Sequence, residues 1–243
     1  MPKQRLDTLL VARGLADNKS RAQAAIMAGE VTVNGSVMTK AGNPVPEDAD
    51  VRMKEKMPYV SRGGLKLAHA LQEFGIDVKG LACIDVGAST GGFTDCLLQC
   101  GAEKVYAIDV GYGQLDYKLR QDSRVVVMEK VNVHYPFELP EKVSLAVMDV
   151  SFISVSMVIP NVLTHLVKEG ELVVLFKPQF EAQRDDVGKG GVIRDPAVHA
   201  KTISHFIIWM NSSRLKLLNL AASPILGAEG NREFLVHLRP WKP

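Results

Sequence analysis

The run Cys83-Ile-Asp85-Val-Gly87-Ala88-Ser89-Thr90-Gly91-Gly92-Phe93 sets a carboxylate two positions ahead of the first of three glycines. The apolar residues before it read as a buried strand that should turn here into a helix. Glycines at such a turn let backbone approach a ligand, and the helix N-terminus offers free amide donors. The spacing Asp-x-Gly-x-x-x-Gly-Gly is not the Gly-x-Gly-x-x-Gly that cradles a pyrophosphate. An acidic side chain beside a loop without phosphate spacing suits a cofactor carrying an ammonium and a sulfonium, which is the chemistry of S-adenosylmethionine. In Val105-Tyr-Ala-Ile-Asp109 a second carboxylate ends the next apolar run. There it could accept both hydrogen bonds of a ribose diol. Asn132, just past the third run, is the candidate for the adenine side.

Four more charged residues stand at the edges of apolar runs. Asp149 lies in Ala-Val-Met-Asp149-Val-Ser-Phe, and Lys177 follows Leu172-Val-Val-Leu-Phe176 with no spacer. Glu233 opens Glu233-Phe-Leu-Val, and Lys66 falls in the first turn of a helix entered through Ser61-Arg62-Gly-Gly. In a parallel sheet the reactive positions lie at the carboxyl ends of the strands, so Asp149 and Lys177 should share one rim with the glycine loop. An antiparallel neighbour starts on that same rim, which brings in Glu233.

The elements that must hold these groups are legible as rhythm. Apolar runs at Leu81–Val86, Val105–Val110, Val125–Met128, Leu145–Val150, Leu172–Phe176, Leu217–Ala221 and Phe234–Leu238 are mostly separated by segments that can form helices. Alternating strands and helices argue an α/β fold with a doubly wound, mostly parallel sheet. The last two runs are joined by the short stretch Ile225 to Asn231, which implies an antiparallel hairpin at one edge. Pro178 should end its strand so that the chain leaves as a loop, and Gln179 to Pro196, with no apolar period, reads as a mobile loop able to close over a substrate. Before this domain lie a helix from about Arg5 to Arg13 and a second after Asp17-Asn18, with Ala22, Ala25 and Ile26 on its apolar face. Val31-Thr-Val33 and Val37 flank the hairpin signal Asn34-Gly35, and Asp50 to Lys54 offers another strand. A Pro- and charge-rich stretch around Lys54 to Pro58 separates the two parts. The expected division is residues 1–56, a linker at 57–60, and 61–243.

With 243 residues, 47% apolar and 23% charged, the chain can bury one ordinary core and a small satellite. No apolar stretch approaches the roughly 18 to 20 residues of a membrane span, and Met-Pro-Lys-Gln-Arg-Leu-Asp has no signal-peptide core, so a cytoplasmic location is expected. Cys83, Cys96 and Cys100 read as buried free thiols, and the six histidines show no metal-ligand spacing, so no metal is expected. The net charge is +2, yet the first 29 residues carry five basic side chains against two acidic ones. Arg5, Lys19 and Arg21 in that stretch are the candidate phosphate contacts for a polyanion.

The series Lys66, Asp149, Lys177, Glu233 resembles the Lys-Asp-Lys-Glu tetrad of FtsJ-like ribose 2'-O-methyltransferases, and Asp85 to Gly92 resembles their cofactor loop, with Phe93 next to it as a further cofactor contact. The first unit, with Arg5-Leu-Asp7, Ser20-Arg21-Ala22 and Val31-Thr-Val-Asn34-Gly35, is similar to the S4 RNA-binding domain. Both in this order, over nearly the whole chain, resemble the TlyA (hemolysin A) family, although Met57-Pro-Tyr-Val60 departs from the Arg-x-Trp-Val linker of some members. The resemblance implies a Rossmann-like class I methyltransferase domain behind a small α+β S4 domain, acting on cytidine 2'-hydroxyls of 16S or 23S ribosomal RNA in ribosomal subunits. It makes Lys66, Asp149, Lys177 and Glu233 catalytic, adds Ser20, Asn34 and Arg62 to the RNA contacts, and gives Asp149 a second place beside the cofactor. Lys177 would then help the hydroxyl proton leave: deprotonated as a base, protonated as a partner of the developing alkoxide. Asp149 would orient it, while Glu233 would fix Lys66 against the ribose. A membrane-damaging protein is the competing reading that the hemolysin name carries.

Overall fold

A computed structural model describes residues 2–54 and 57–241, and the chain divides into two compact units, Met1–Lys56 and Met57–Pro243. The expected separating stretch includes Glu55 and Lys56, which lie outside the described residues.

The first unit comprises β1 (Lys3–Arg5), α1 (Leu6–Ala12), α2 (Lys19–Met27), β2 (Val31–Val33), β3 (Ser36–Met38), β4 (Pro44–Pro46) and β5 (Val51–Met53). Asn18 caps α2 by accepting from the Arg21 amide at 2.9 Å, one of the four donors that a helix start leaves unpaired. Asn34 and Gly35 both adopt positive φ, 51° and 79°, and join β2 to β3 in a two-residue turn, the geometry an Asn-Gly pair favours. β5 pairs with the other side of β2. Leu6, Leu10 and Ile26 are fully buried under this small sheet, each contributing about 1.5–3 kcal/mol of transfer free energy. A second sheet of two strands, β1 with β4, went unanticipated because three-residue strands, one flanked by prolines, have no period to read.

The second unit carries α3 (Gly63–Phe74), β6 (Ala82–Val86), α4 (Gly92–Gln99), β7 (Lys104–Asp109), α5 (Tyr117–Gln121), β8 (Val125–Glu129), β9 (Val143–Met148), α6 (Val155–Leu163), β10 (Leu166–Phe176), α7 (Pro178–Glu181), α8 (Pro196–Ser212), β11 (Leu215–Ala222) and β12 (Phe234–Pro240). Its seven strands lie in the order β11-β12-β10-β9-β6-β7-β8. Successive residues of β10 feed opposite faces. Leu172, Val174 and Phe176 join one core layer, with Ile84, Ile108 and Met148, whereas Val173 and Leu175 join the other, with Cys83, Ala107 and Val147. Helices cover both faces, which is why this strand reads as an unbroken apolar run.

All seven expected strands are present. Within the edge hairpin the reversed strand β12 is the inner member, paired antiparallel to β10, and β11 forms the edge. Pro178 does not release the chain as a loop: it takes the first position of the one-turn α7, where its missing N–H costs nothing. The segment expected to be a structureless loop contains α7 and two short 3-10 turns, and α8 starts at the next cap, Asp195. Cys83 and Cys96 are buried, whereas Cys100 is exposed, at the C-terminal end of α4 where the chain meets solvent. No helix among the described residues is long and apolar enough to cross a membrane.

Candidate active site

Strand register sets the rim. Met148 of β9 is level with Val86 of β6 and with Val174 of β10, and Phe176 is level with Phe234 of β12. The residues that follow β6, β9 and β10, and the one that precedes β12, therefore emerge together: Gly87, Asp149, Lys177 and Glu233. Gly87 has φ 84°, and a Cβ there would lie 2.6 Å from the carbonyl oxygen of Asp149. Only glycine lets the two strand ends approach this closely.

The four expected charges form two pairs. Lys177 Nζ lies 2.6 Å from Asp149 Oδ1, and Lys66 Nζ lies 2.5 Å from Glu233 Oε2. The Lys177–Asp149 contact is ionic and falls off the hydrogen-bonding direction, since Asp149 Oδ1 has no hydrogen-bond donor among the described residues. The directed bond of Lys177 goes to Ser151 Oγ at 2.8 Å. Lys66, Lys177 and Glu233 are all buried. Charges out of water need partners within reach, and each lysine has its own carboxylate. All four line one cavity of about 300 Å³, together with Ser61 and Arg62.

A second cavity, of about 470 Å³, shares Gly87, Ser89, Asp149 and Ser151 with the first and continues over β7. Asp109 and Asn132 line it, and Ile108, Val131 and Val150 give it an apolar wall. Asp109 accepts from the Ser89 amide at 2.8 Å and the Gly111 amide at 2.7 Å, one on each oxygen, which leaves a further acceptor position on both. Asp85 lines neither cavity. It is wholly buried beneath the glycine loop, where its Oδ2 accepts from the Thr94 amide (2.9 Å) and hydroxyl (2.7 Å) and fixes the first turn of α4. Its Oδ1 has no partner among the described residues. Burial pushes its carboxyl up to about 7, the Thr94 hydroxyl opposes this, and the Asp149 charge adds to it. Of the remaining loop residues, Ser89 and Thr90 are exposed, whereas Ala88, Gly91, Gly92 and Phe93 are buried.

Three groups at the rim escaped the sequence reading. Ser151 holds Lys177. Phe152, 91% exposed and at φ 63°, packs against Phe180 with ring centroids 5.1 Å apart. Glu181 accepts from Ser154 Oγ (2.6 Å) and the Val155 amide (2.8 Å), tying α7 to the start of α6, and burial raises its carboxyl pKa. A left-handed phenylalanine leaves no mark in a sequence, but Asp149-Val-Ser-Phe was a visible polar-aromatic cluster.

The nucleic-acid candidates of the first unit are partly committed. Arg5 grips Asp7 through Nε (3.1 Å) and Nη2 (2.7 Å), Lys19 Nζ sits 4.0 Å from the same carboxylate, and Arg21 pairs with Asp17. The side chains remain 53%, 56% and 68% exposed. Ser20 is exposed in the first turn of α2, and Arg62, in the second unit, is exposed and lines the first cavity. The Asn34 side-chain Oδ1 accepts from the Asp50 amide at 3.0 Å, which gives it a structural task in joining β5 to the hairpin.

A mostly parallel seven-stranded sheet with one inserted antiparallel strand, a glycine loop after β6 and a nucleoside-sized cavity beyond it define a methyltransferase. Residues 59–240 match the FtsJ-like methyltransferase family and residues 4–51 match the S4 domain. The chain belongs to the FtsJ-like methyltransferases and, among them, to the TlyA (hemolysin A) family. It is 49% identical to the provisionally named rRNA methyltransferase YqxC of Bacillus subtilis, over 97% of this chain and 85% of that one. It is 39% identical to the 16S/23S rRNA (cytidine-2'-O)-methyltransferase TlyA of Mycobacterium tuberculosis, over 98% and 90% of the two chains. A solved structure from Streptococcus thermophilus, provisionally named a hemolysin, superposes with a TM-score of 0.76 at 42% identity, covering 100% of this chain and 90% of that one.

Proposed function

We propose that this protein methylates a cytidine ribose 2'-hydroxyl of ribosomal RNA, using S-adenosylmethionine. The observation that carries the reading is the pairing of Lys177 with Asp149 and of Lys66 with Glu233 around one cavity that opens into a second with a carboxylate on its wall. The residues fit the cofactor. Asp109 offers two acceptor positions to a diol, the apolar wall and Asn132 suit a purine, and beneath the loop Asp85 is a carboxyl that a cationic ligand would favour in its ionised form. When bound, the cofactor supplies a methyl group attached to a positively charged sulfur. The protein's part is to hold the ribose oxygen in line with that methyl and to manage its proton. Lys177 Nζ, fixed between Asp149 and Ser151, is the group at the hydroxyl: deprotonated, it takes the hydroxyl proton as the methyl passes from sulfur to oxygen; protonated, it hydrogen-bonds the developing alkoxide while the proton passes to solvent. Lys66, held by Glu233, positions the ribose from the opposite wall. We assign residues 1–56 the task of an S4-type RNA-binding domain, with Lys19 and Arg21 as phosphate contacts and Arg62 in the lining of the catalytic cavity.

The test incubates the protein with methyl-labelled S-adenosylmethionine and 16S or 23S rRNA, free and in separated ribosomal subunits, and maps the label. Transfer to a cytidine ribose, absent in Lys177→Ala, is the expected result. No label on any ribosomal substrate would overturn the proposal, and cell lysis by purified protein that persists in Lys177→Ala would favour the membrane-damaging alternative.

A further inference from the structure

We propose that Asn231 is a positioning residue for the Lys66–Glu233 pair, and that it joins this pair to the chain segment that leaves Lys177. The inference rests on the reading of Lys66 and Glu233 as part of the transfer site. Asn231 is 2% exposed, and both the oxygen and the nitrogen of its side-chain amide have a partner. Oδ1 accepts from the Ile193 amide at 2.9 Å, and Nδ2 donates to the Gly191 carbonyl at 2.8 Å. Both partners lie in the glycine-rich segment between α7 and α8, which otherwise holds only two short 3-10 turns. Asn231, 38 positions from Ile193 in sequence, thus gives that segment two hydrogen bonds, beside the burial of the Ile193 side chain.

The backbone of the same residue organises the turn before β12. Its carbonyl accepts from the Gly227 amide at 2.9 Å, and the Gly230 amide closes on the Gly227 carbonyl at 3.0 Å. That turn is a wall of the catalytic site. Ala228 lines the cavity, and Gly227 packs so tightly on the carboxylate that a Cβ there would lie 2.5 Å from Glu233 Oε1. Glu233 thus has Lys66 on one oxygen and the turn against the other. Asn231 anchors the turn from behind. Losing the anchor lets Gly227 recede, gives Glu233 a second rotamer and lets Lys66 leave its position. An amide is required because one planar group must present an acceptor and a donor side by side. An aspartate would set a carboxylate oxygen against the Gly191 carbonyl.

The experiment uses the full chain with Asn231→Ala and Asn231→Asp. Hydrogen exchange over Gly227–Glu233 and over the Gly191–Ile193 stretch is measured alongside kcat and KM for methyl transfer to ribosomal RNA, in the wild-type background and in Lys66→Met. Exchange in both stretches should accelerate at least about tenfold. The kcat of either variant should fall about ten- to a hundredfold with KM for the cofactor within about twofold, and the loss should shrink to under about twofold in Lys66→Met. Equal fold-losses in the two backgrounds, or unchanged exchange over Gly227–Glu233, would overturn the proposal. If Asn231→Ala does not fold, Asn231→Asp, which keeps the acceptor for Ile193, decides the same comparison. Should the wild-type protein transfer no methyl to ribosomal RNA, the functional reading falls, and exchange over Gly227–Glu233 still decides whether Asn231 holds the turn.

Discussion

Lys177 is held by two unlike partners, an ionic contact to Asp149 and a hydrogen bond to Ser151, so its ammonium is fixed in place and not merely neutralised. Removing it should leave the second cavity intact, because Lys177 lines only the first. Lys177→Ala is therefore expected to lower kcat by at least about a hundredfold, with cofactor affinity by calorimetry within a few-fold of wild type. Lys177→Arg should not rescue, since a planar fork cannot reproduce a point charge between these two oxygens. Asp85 makes the opposite kind of prediction, in binding and not in rate. Its folded pKa of about 7 stands above the ordinary 3.8. The native state thus keeps this proton where the unfolded chain has lost it, so stability falls as pH rises from 3.8 through about 7. A cationic ligand favours the ionised form. Binding of S-adenosylmethionine near pH 7 should then release protons, and affinity should rise with pH through that region. Calorimetry in two buffers of different ionisation enthalpy reads the release directly; identical heats, or release that survives in Asp85→Asn, would count against it.

Scale up to the elements, and the site is a consequence of register. Four strand ends meet only if β6 and β9 finish level, and Gly87 is the position where this is most exposed to change. Gly87→Ala places a methyl 2.6 Å from the Asp149 carbonyl at φ 84°, costing about 1–2 kcal/mol for the backbone conformation alone. The clash adds to this and is relieved only by moving Asp149. A lower unfolding midpoint together with weaker cofactor binding is expected; weaker binding with an unchanged midpoint would show that the strand ends are not under this constraint. The rim was legible beforehand because it needs only local signals, an apolar run and the polar residue that ends it. Lys177, Asp149 and Glu233 each close or open such a run, and Lys66 sits in the first turn of a helix whose glycines mark the entry. What was not legible depends on distant partners. The order of β11 and β12 is set by which strand pairs with β10, and nothing inside either strand records that. The segment after α7 looked structureless because its anchor, Asn231, is supplied by another part of the chain. Ser151 acquires meaning only from Lys177 at the end of β10, and Phe152 only from Phe180 of α7.

For the whole molecule, the question is what the basic excess of the first unit does. The three candidate contacts are not equivalent. Arg5 is gripped by Asp7, a carboxylate with no exposed side-chain surface whose pKa the guanidinium holds well below the ordinary range, with Gln23 and Lys19 assisting. Because the folded pKa is depressed, this carboxylate contributes stability above 3.8, and that contribution is lost as pH falls through the lower folded value. Arg5→Ala would strand a buried charge, so it should destabilise the unit and make its unfolding midpoint less sensitive to acid in that low window. Lys19 lies at the limit of ion-pair distance from Asp7, and Arg21 pairs, among the described residues, with Asp17 alone, itself largely exposed. Exposed pairs are worth about 0–1 kcal/mol and yield readily to a phosphate. Lys19→Ala and Arg21→Ala should each reduce the slope of log affinity against log salt for ribosomal RNA by about one, with unfolding midpoints unchanged. Salt titrations with thermal unfolding of the same three variants separate the roles. A full slope change in Arg5→Ala without loss of stability would mean its guanidinium leaves Asp7 for RNA, and an unaltered slope in both Lys19→Ala and Arg21→Ala would remove this face from the RNA interface.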